Sequence, residues 1–247
     1  VSQAAVPPIQ FVLTRFAACT CIGRWGSLEY GNPRFPGQVT GGRWKPLHYW
    51  YKASLFASVM ATCGKGGACY VKNDSPYAFT GKLEIVSTDF STGETMLAKS
   101  MDLELAAGAG SISWFTIGAE YLDGTKSALV ATVTAKDGTR ISRNVIALAT
   151  PEKMLLKKAN IKATIASDTA NADGSVDIDV TADAVAMFVT LTTLADGRFS
   201  DNAFLVDGSG KATVQFIPFS PVDMGKLRSS LRAEDVSAYQ DQQGGVK

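Results

Sequence analysis

"SALVATVTAKDGTRISRNVIAL", residues 127–148, reads as two strands and the turn between them. The hydrophobic pattern has a period near two residues, the spacing of a strand rather than a helix. Lys136-Asp137-Gly138-Thr139 supplies the Asp-Gly pair that a tight hairpin favours, because glycine adopts positive φ without steric cost. The same grammar extends outward. "KLEIVST" (82–88) and "SISWFTI" (111–117) are further strands, set off by the turn sequences "STGE", "AAGAGS" and "LDGT". "ATPEK", ending at Lys153, interrupts the pattern with a proline and charge and marks a boundary. Strands then resume with "ANIKATIAS" (159–167), "VDIDV" (176–180), "AMFVTLTTL" (186–194), "FSDNAFLV" (199–206) and "KATVQFIPF" (211–219). "LRSSLRAEDVSAY" (227–239) suits a strand or a short helix equally. Short strands at this spacing indicate sandwiches or barrels, and two sets of about 90 residues indicate two sandwiches. The expected fold class is mainly β.

One segment breaks the rule. "GRWKPLHYWYKASLFASVM", residues 42–60, has the 3.6-residue period of a helix, with Pro46 in its first turn. Trp44, Leu47, Tyr51 and Leu55 fall on one side, Trp50, Ala53 and Ala57 beside them, and Tyr49, Phe56 and Met60 continue round. Only Lys45 and Lys52 mark a wet stripe. A helix this apolar belongs inside a larger body. Burying a Trp, two Tyr, a Leu and a Phe contributes about 10 kcal/mol in gross terms. Upstream, residues 1–42 are punctuated by Pro and Gly, with "FVLTRFAACTCI" as a single candidate strand and Asn32–Gly41 as a loop.

Composition excludes several classes. The chain has 247 residues, 46% of them hydrophobic, and a formal net charge of +1, so no electrostatic case exists for nucleic acid or an anionic membrane surface. No apolar run reaches the roughly 18 residues of a membrane span. The first residues carry neither an initiator Met nor a basic n-region, and read as a chain that starts midway through a longer protein. Of the four cysteines, Cys19 and Cys21 are too close for an easy mutual bridge. Cys63 and Cys69 flank "GKGGA", which a bridge could close, although buried free thiols are the simpler expectation for all four. Asn73 opens the sequon "NDS", with Pro76 directly after it.

Candidate chemistry is sparse. His48 is the one histidine, which excludes a multi-His metal site and favours a packed ring with local partners. "GKGGA" lacks the spacing of a phosphate loop. Glu29 and Asp201 are the carboxylates a glycosidase reading would choose, but no second carboxyl is placed beside either. Asp201 is expected in a local turn or cap with Ser200 and Asn202. Asp177 and Asp179 alternate with apolar residues and should face water. "SDTANADGS" lacks the bidentate Glu of a calcium loop. Trp114, Phe115 and Tyr121 could form a sugar platform, but core packing is their commoner fate. No catalytic residue, cofactor ligand or metal ligand is assigned.

"WGSLEYG" (25–31) followed by "GRWKPLHY" (42–49) resembles the end of the catalytic barrel in β-mannosidases of glycoside hydrolase family 2. "GRFSDNAFL" (197–205), with "FIPFSP" ending at Pro221, is similar to the signature of the last sandwich in the same enzymes. The resemblance covers roughly Trp25 to Tyr239. Here "NPRFPGQVTG" (32–41) separates the tryptophan loop from the helix, which the family keeps nearly contiguous, and no stretch matches the family's two catalytic glutamates. The resemblance implies residues 1–60 as the end of a barrel, with a helix over 43–60, then immunoglobulin-like sandwiches over 61–150 and 151–239 and a flexible tail over 240–247. It implies an accessory region without catalytic residues of its own. The complete enzyme would hydrolyse terminal β-D-mannosides without a metal, in a lysosomal or secreted setting. The implied partner is the catalytic barrel of the same enzyme, with self-association through the apolar helix in its absence. A carbohydrate-binding module and a purely structural two-sandwich protein are the alternatives.

Overall fold

A computed structural model describes residues 43–54, 56–108 and 111–240. Cys19, Cys21, Glu29, the strand expected around "FVLTRFAACTCI", the 32–41 loop and all of the tail after Gln240 lie outside the described residues. The elements are helix α1 (Pro46–Ser54), strands β1 (Val59–Cys63), β2 (Ala68–Asn73), β3 (Phe79–Asp89), β4 (Thr95–Leu105), β5 (Ser111–Thr116), β6 (Ser127–Ala135) and β7 (Arg140–Ile146), and then β8 (Ile161–Ile165), β9 (Val176–Ala182), β10 (Ala186–Thr192), β11 (Gly197–Phe199), β12 (Phe204–Val206) and β13 (Lys211–Pro218). Helix α2 (Met224–Ser230), strand β14 (Arg232–Glu234) and helix α3 (Ser237–Gln240) follow.

The fold is mainly β, and every strand pair is antiparallel. Sheet β1-β2-β5 faces sheet β4-β3-β6-β7 across a core that includes Val71, Leu83, Ile85, Leu129 and Val133. Sheet β12-β10-β14 faces sheet β11-β13-β9-β8 across a second core with Ile178, Val180, Leu191, Phe204 and Phe216. A short turn, Pro151–Lys153, lies between the two sheet pairs.

A third apolar cluster joins them. Phe90, Ala128, Val130 and Val145 of the first pair and Met154 of the link meet Val185, Met187, Phe188, Leu205 and Val236 of the second. This explains the composition of β6: Leu129, Ala131 and Val133 point into its own core, while Ala128 and Val130 point into the shared cluster. A strand buried on both faces loses the polar half of its alternation. Strand β10 solves the same problem through a register shift between Ala186 and Val189. Phe188 there adopts φ 56. The bulge lets the successive residues Met187, Phe188 and Val189 all be buried. At the same junction the β3–β4 and β12–β13 turns touch backbone to backbone. A Cβ on Gly93 would lie 2.6 Å from the Cα of Gly208, and one on Gly208 would lie 2.2 Å from the carbonyl oxygen of Gly93.

Helix α1 is shorter than its periodicity predicts. It ends at Ser54, whose hydroxyl donates to the Trp50 carbonyl, and Val59 and Met60 belong to β1, paired with Asn73 and Lys72. Sheet pairing satisfies the backbone there and buries Val59 and Ala61 in the first core. The expected burial is also smaller: Tyr49 is 2% exposed but Phe56 is 66% exposed. Lys45, expected on the wet stripe, is buried, and burial lowers its ammonium pKa. The free-thiol expectation fails for Cys63 and Cys69, which form a disulfide between directly paired positions of β1 and β2. The expected single strand at 199–206 is two, β11 and β12, and 227–239 contains both a strand and helical turns.

Candidate functional site

Residues 43–49 and 194–202, far apart in sequence, are brought together along one seam. Arg43 pairs with Asp196 and donates to the Leu194 carbonyl at 3.0 Å. The Arg198 guanidinium lies 4.4 Å from the Trp44 ring centroid, and the Lys52 ammonium lies 5.7 Å from it, a cation–π arrangement. Tyr49 inserts into the second core, edge-on to Trp44 at 5.2 Å. Its hydroxyl accepts a hydrogen bond from the Phe199 N–H at 2.9 Å. Burial pushes the Tyr49 phenol up to about 12.

The Ser200-Asp201-Asn202 stretch continues the seam. Asn202 bonds its own turn through the Ala203 N–H, 3.1 Å from its side-chain oxygen, and also reaches across to the neighbouring strand. Its side chain accepts from the Leu191 N–H at 2.8 Å and donates to the Leu191 carbonyl at 2.9 Å, so it substitutes for a missing strand partner beside β10. Ser200 likewise accepts from the Gln215 N–H on β13. Asp201 stays local, accepting from the Asn202 N–H. It retains accessible area yet sits in a crowded recess. That crowding raises its carboxyl pKa, against the opposing pull of the Asn202 N–H, Arg143, Lys52 and Arg140. Among the described residues, the charged groups acting on Asp201 are cations, not the second carboxylate that glycoside hydrolysis requires.

The remaining sequence candidates disperse. His48 packs on Trp44 with ring centroids 4.5 Å apart, and burial followed by Lys52 lowers its pKa. Asp177 and Asp179 lie on the outer face of β9, accepting from Gln215 and Thr213. Asp173 caps its own turn through Ser175. Among the described residues no cluster could hold a metal ion, and no helix is long and apolar enough to cross a membrane. Asn73 is fully buried: its amide donates to the carbonyls of Tyr77 and Ala106, so the sequon offers no amide for a glycan. Phe115 and Tyr121 pack against the first core, whereas Trp114 is 57% exposed, against the core expectation.

Beside the seam lies a groove of about 430 Å³. Leu47 and Trp50 of α1 form one wall, and Phe188, Leu194, Val236 and Tyr239 form much of the other. Asp235 also lines it, and one of its carboxylate oxygens is buried without a hydrogen-bond partner. The sequence carried no signal for this groove, because its walls come from four separate segments.

Residues 156–239 match a family model described as the Ig-fold domain Ig_mannosidase. No curated protein matches the chain. The fold is similar to a β-D-mannosidase from Dictyoglomus thermophilum, with TM-score 0.60 and 20% identity over 78% of this chain and 23% of that one. It is also similar to the exo-chitosanase CsxA from Amycolatopsis orientalis, with TM-score 0.52 and 16% identity over 78% of this chain and 27% of that one. At these identities the likeness establishes fold, and the chain spans about a quarter of each enzyme's length. Both findings agree with the resemblance read from 42–49 and 197–205. Residues 156–239 match the Ig-fold domain Ig_mannosidase, and the chain shares the fold of part of these two glycoside-cleaving enzymes.

Proposed function

We propose that this chain is the C-terminal accessory region of a β-mannosidase-like exo-glycosidase. It is non-catalytic on its own and serves the hydrolysis of terminal β-D-mannosides by the complete enzyme. The last helix of the barrel would be α1, ending at Ser54, and the two sandwiches would divide near residue 150. The carrying observation is the half-seated helix. Tyr49 of α1 and the preceding Trp44 are fixed to the second sandwich, while Leu47 and Trp50 leave an apolar groove open between the helix and that sandwich. A helix pinned to one sandwich beside an unfilled apolar groove suits an anchor between the sandwiches and a preceding catalytic barrel. The Cys63–Cys69 bond suits a secreted or lysosomal setting.

The test is hydrolysis of an aryl β-mannoside by the purified chain and by the same chain extended upstream in its own reading frame. The extended protein is expected to turn over and the chain alone is not. Turnover by the chain alone, abolished by Asp201→Asn, would overturn the proposal. Trp50→Asp is expected to lower thermal stability more in the extended protein than in the chain alone, where Trp50 already packs against the shared cluster, with KM for the mannoside little changed.

A further inference from the structure

The outward face of sheet β1-β2-β5 carries a feature the seam does not use. The register places Tyr70 opposite Trp114, Thr62 opposite Tyr70, Lys72 opposite Ile112 and Ala68 opposite Thr116. Side chains two residues apart share a face, so Trp114, Tyr70, Thr62, Thr116, Lys72 and Ile112 form one surface. The Tyr70 and Trp114 rings lie 5.2 Å apart, tilted by 56°. Trp114 is 57% exposed and Ile112 is 47% exposed. Lys72 and Asp74 form an ion pair beside them. Ala68, Lys72, Ile112 and Thr116 flank the two rings along the strands and Thr62 lies across from Tyr70, and the indole itself stays open to approach.

We propose that the Tyr70–Trp114 surface is a sugar-binding platform that takes one or two pyranose rings of a β-linked glycan. Its size decides between a sugar and a protein. Two strand spacings by four residues of strand give about 10 by 14 Å, or about 140 Å². A stable protein interface needs about 800 Å² per partner. The patch is too small for that by itself, but it matches a disaccharide laid flat. An aromatic ring meets the apolar C–H face of a pyranose, while the sugar's equatorial hydroxyls reach outward to Thr62, Thr116 and the Lys72–Asp74 pair. A linear polyol has the same hydroxyls without that face, so it should not be held.

The experiment is a heteronuclear NMR titration of the nitrogen-15-labelled chain with β-1,4-mannobiose, with a β-1,4-linked glucosamine disaccharide, and with sorbitol as the linear control. The Trp114 indole N–H and the Tyr70 amide are expected to shift and saturate at millimolar disaccharide and to stay still with sorbitol. Trp114→Ala is expected to weaken binding by about tenfold or more, equivalent to about 1.4 kcal/mol, while Phe56→Ala, which removes a different exposed ring, leaves the titration unchanged. An unmoved Trp114 signal with both disaccharides, equal shifts with sorbitol, or unchanged affinity in Trp114→Ala would overturn the proposal. None of these readings depends on whether the chain serves a mannosidase.

Discussion

The two sandwiches are built by different rules. The first has long, regular strands, with β3 and β4 each running 11 residues, and it is closed at one end by a disulfide. The second is assembled from pieces as short as the three residues of β11, β12 and β14. It holds those pieces with side chains that act as backbone: Asn202 on Leu191, Ser200 on Gln215 and Tyr49 on Phe199. Regular strands can be filled by many sequences. A clasp made by one Asn or one Tyr demands that residue, which is why the recognisable motifs lie in and against the irregular half.

The difference has measurable consequences. Tyr49→Ala removes a buried ring from the second core and leaves the Phe199 N–H unpaired. It is expected to destabilise the second sandwich by about 3–5 kcal/mol, read as a lower urea midpoint with lost amide protection in β9 and β13. Equal loss of protection in β3 and β6 would show that the two sandwiches unfold as one unit. Converting both Cys63 and Cys69 to Ser opens a loop of sequence separation 6, and is expected to cost the first sandwich about 2 kcal/mol by the loop-closure estimate. Amide exchange should accelerate in β1 and β2, while the second sandwich keeps its protection.

The smallest effect is pH-dependent. Burial raises the Asp235 carboxyl above the ordinary value of 3.8. The folded protein therefore holds this proton more tightly than the unfolded chain. Its contribution is full below 3.8 and is lost as pH rises through the elevated native value. Asp235→Asn should abolish that loss, so the variant should gain on the parent as pH rises across that window. Parallel urea midpoints for the two proteins at every pH would count against it.

Legibility follows the same division. The β6–β7 hairpin was readable to the residue at its turn because Asp137-Gly138 and the strand pattern agree with the structure at every level. Strands β1, β2 and β4 gave no clear signal: β1 continues a helical pattern without a break, and β4 has exposed Met96 and Leu97 where alternation calls for polar groups. Sequence periodicity also marked α1 but not where it ends, since long-range pairing of Val59 and Met60 with β2 decides that. At the candidate site, the seam was legible as two motifs, and their meeting was not. The exposure of Trp114 was hidden for a simpler reason: on a strand, one register step decides between core and solvent.

Gly93 and Gly208 give the junction a mechanical meaning. Beside the shared apolar cluster, these two turns meet main chain upon main chain, which adds a hard stop to the yielding side-chain contact. An alanine at either position would act as a shim, prising open the Met187–Val130 side of the joint and tipping the far ends of both sheets through a lever many times longer than a methyl group. A protein that must hold a remote platform at a fixed bearing gains from such a stop, and two residues weighing almost nothing supply it.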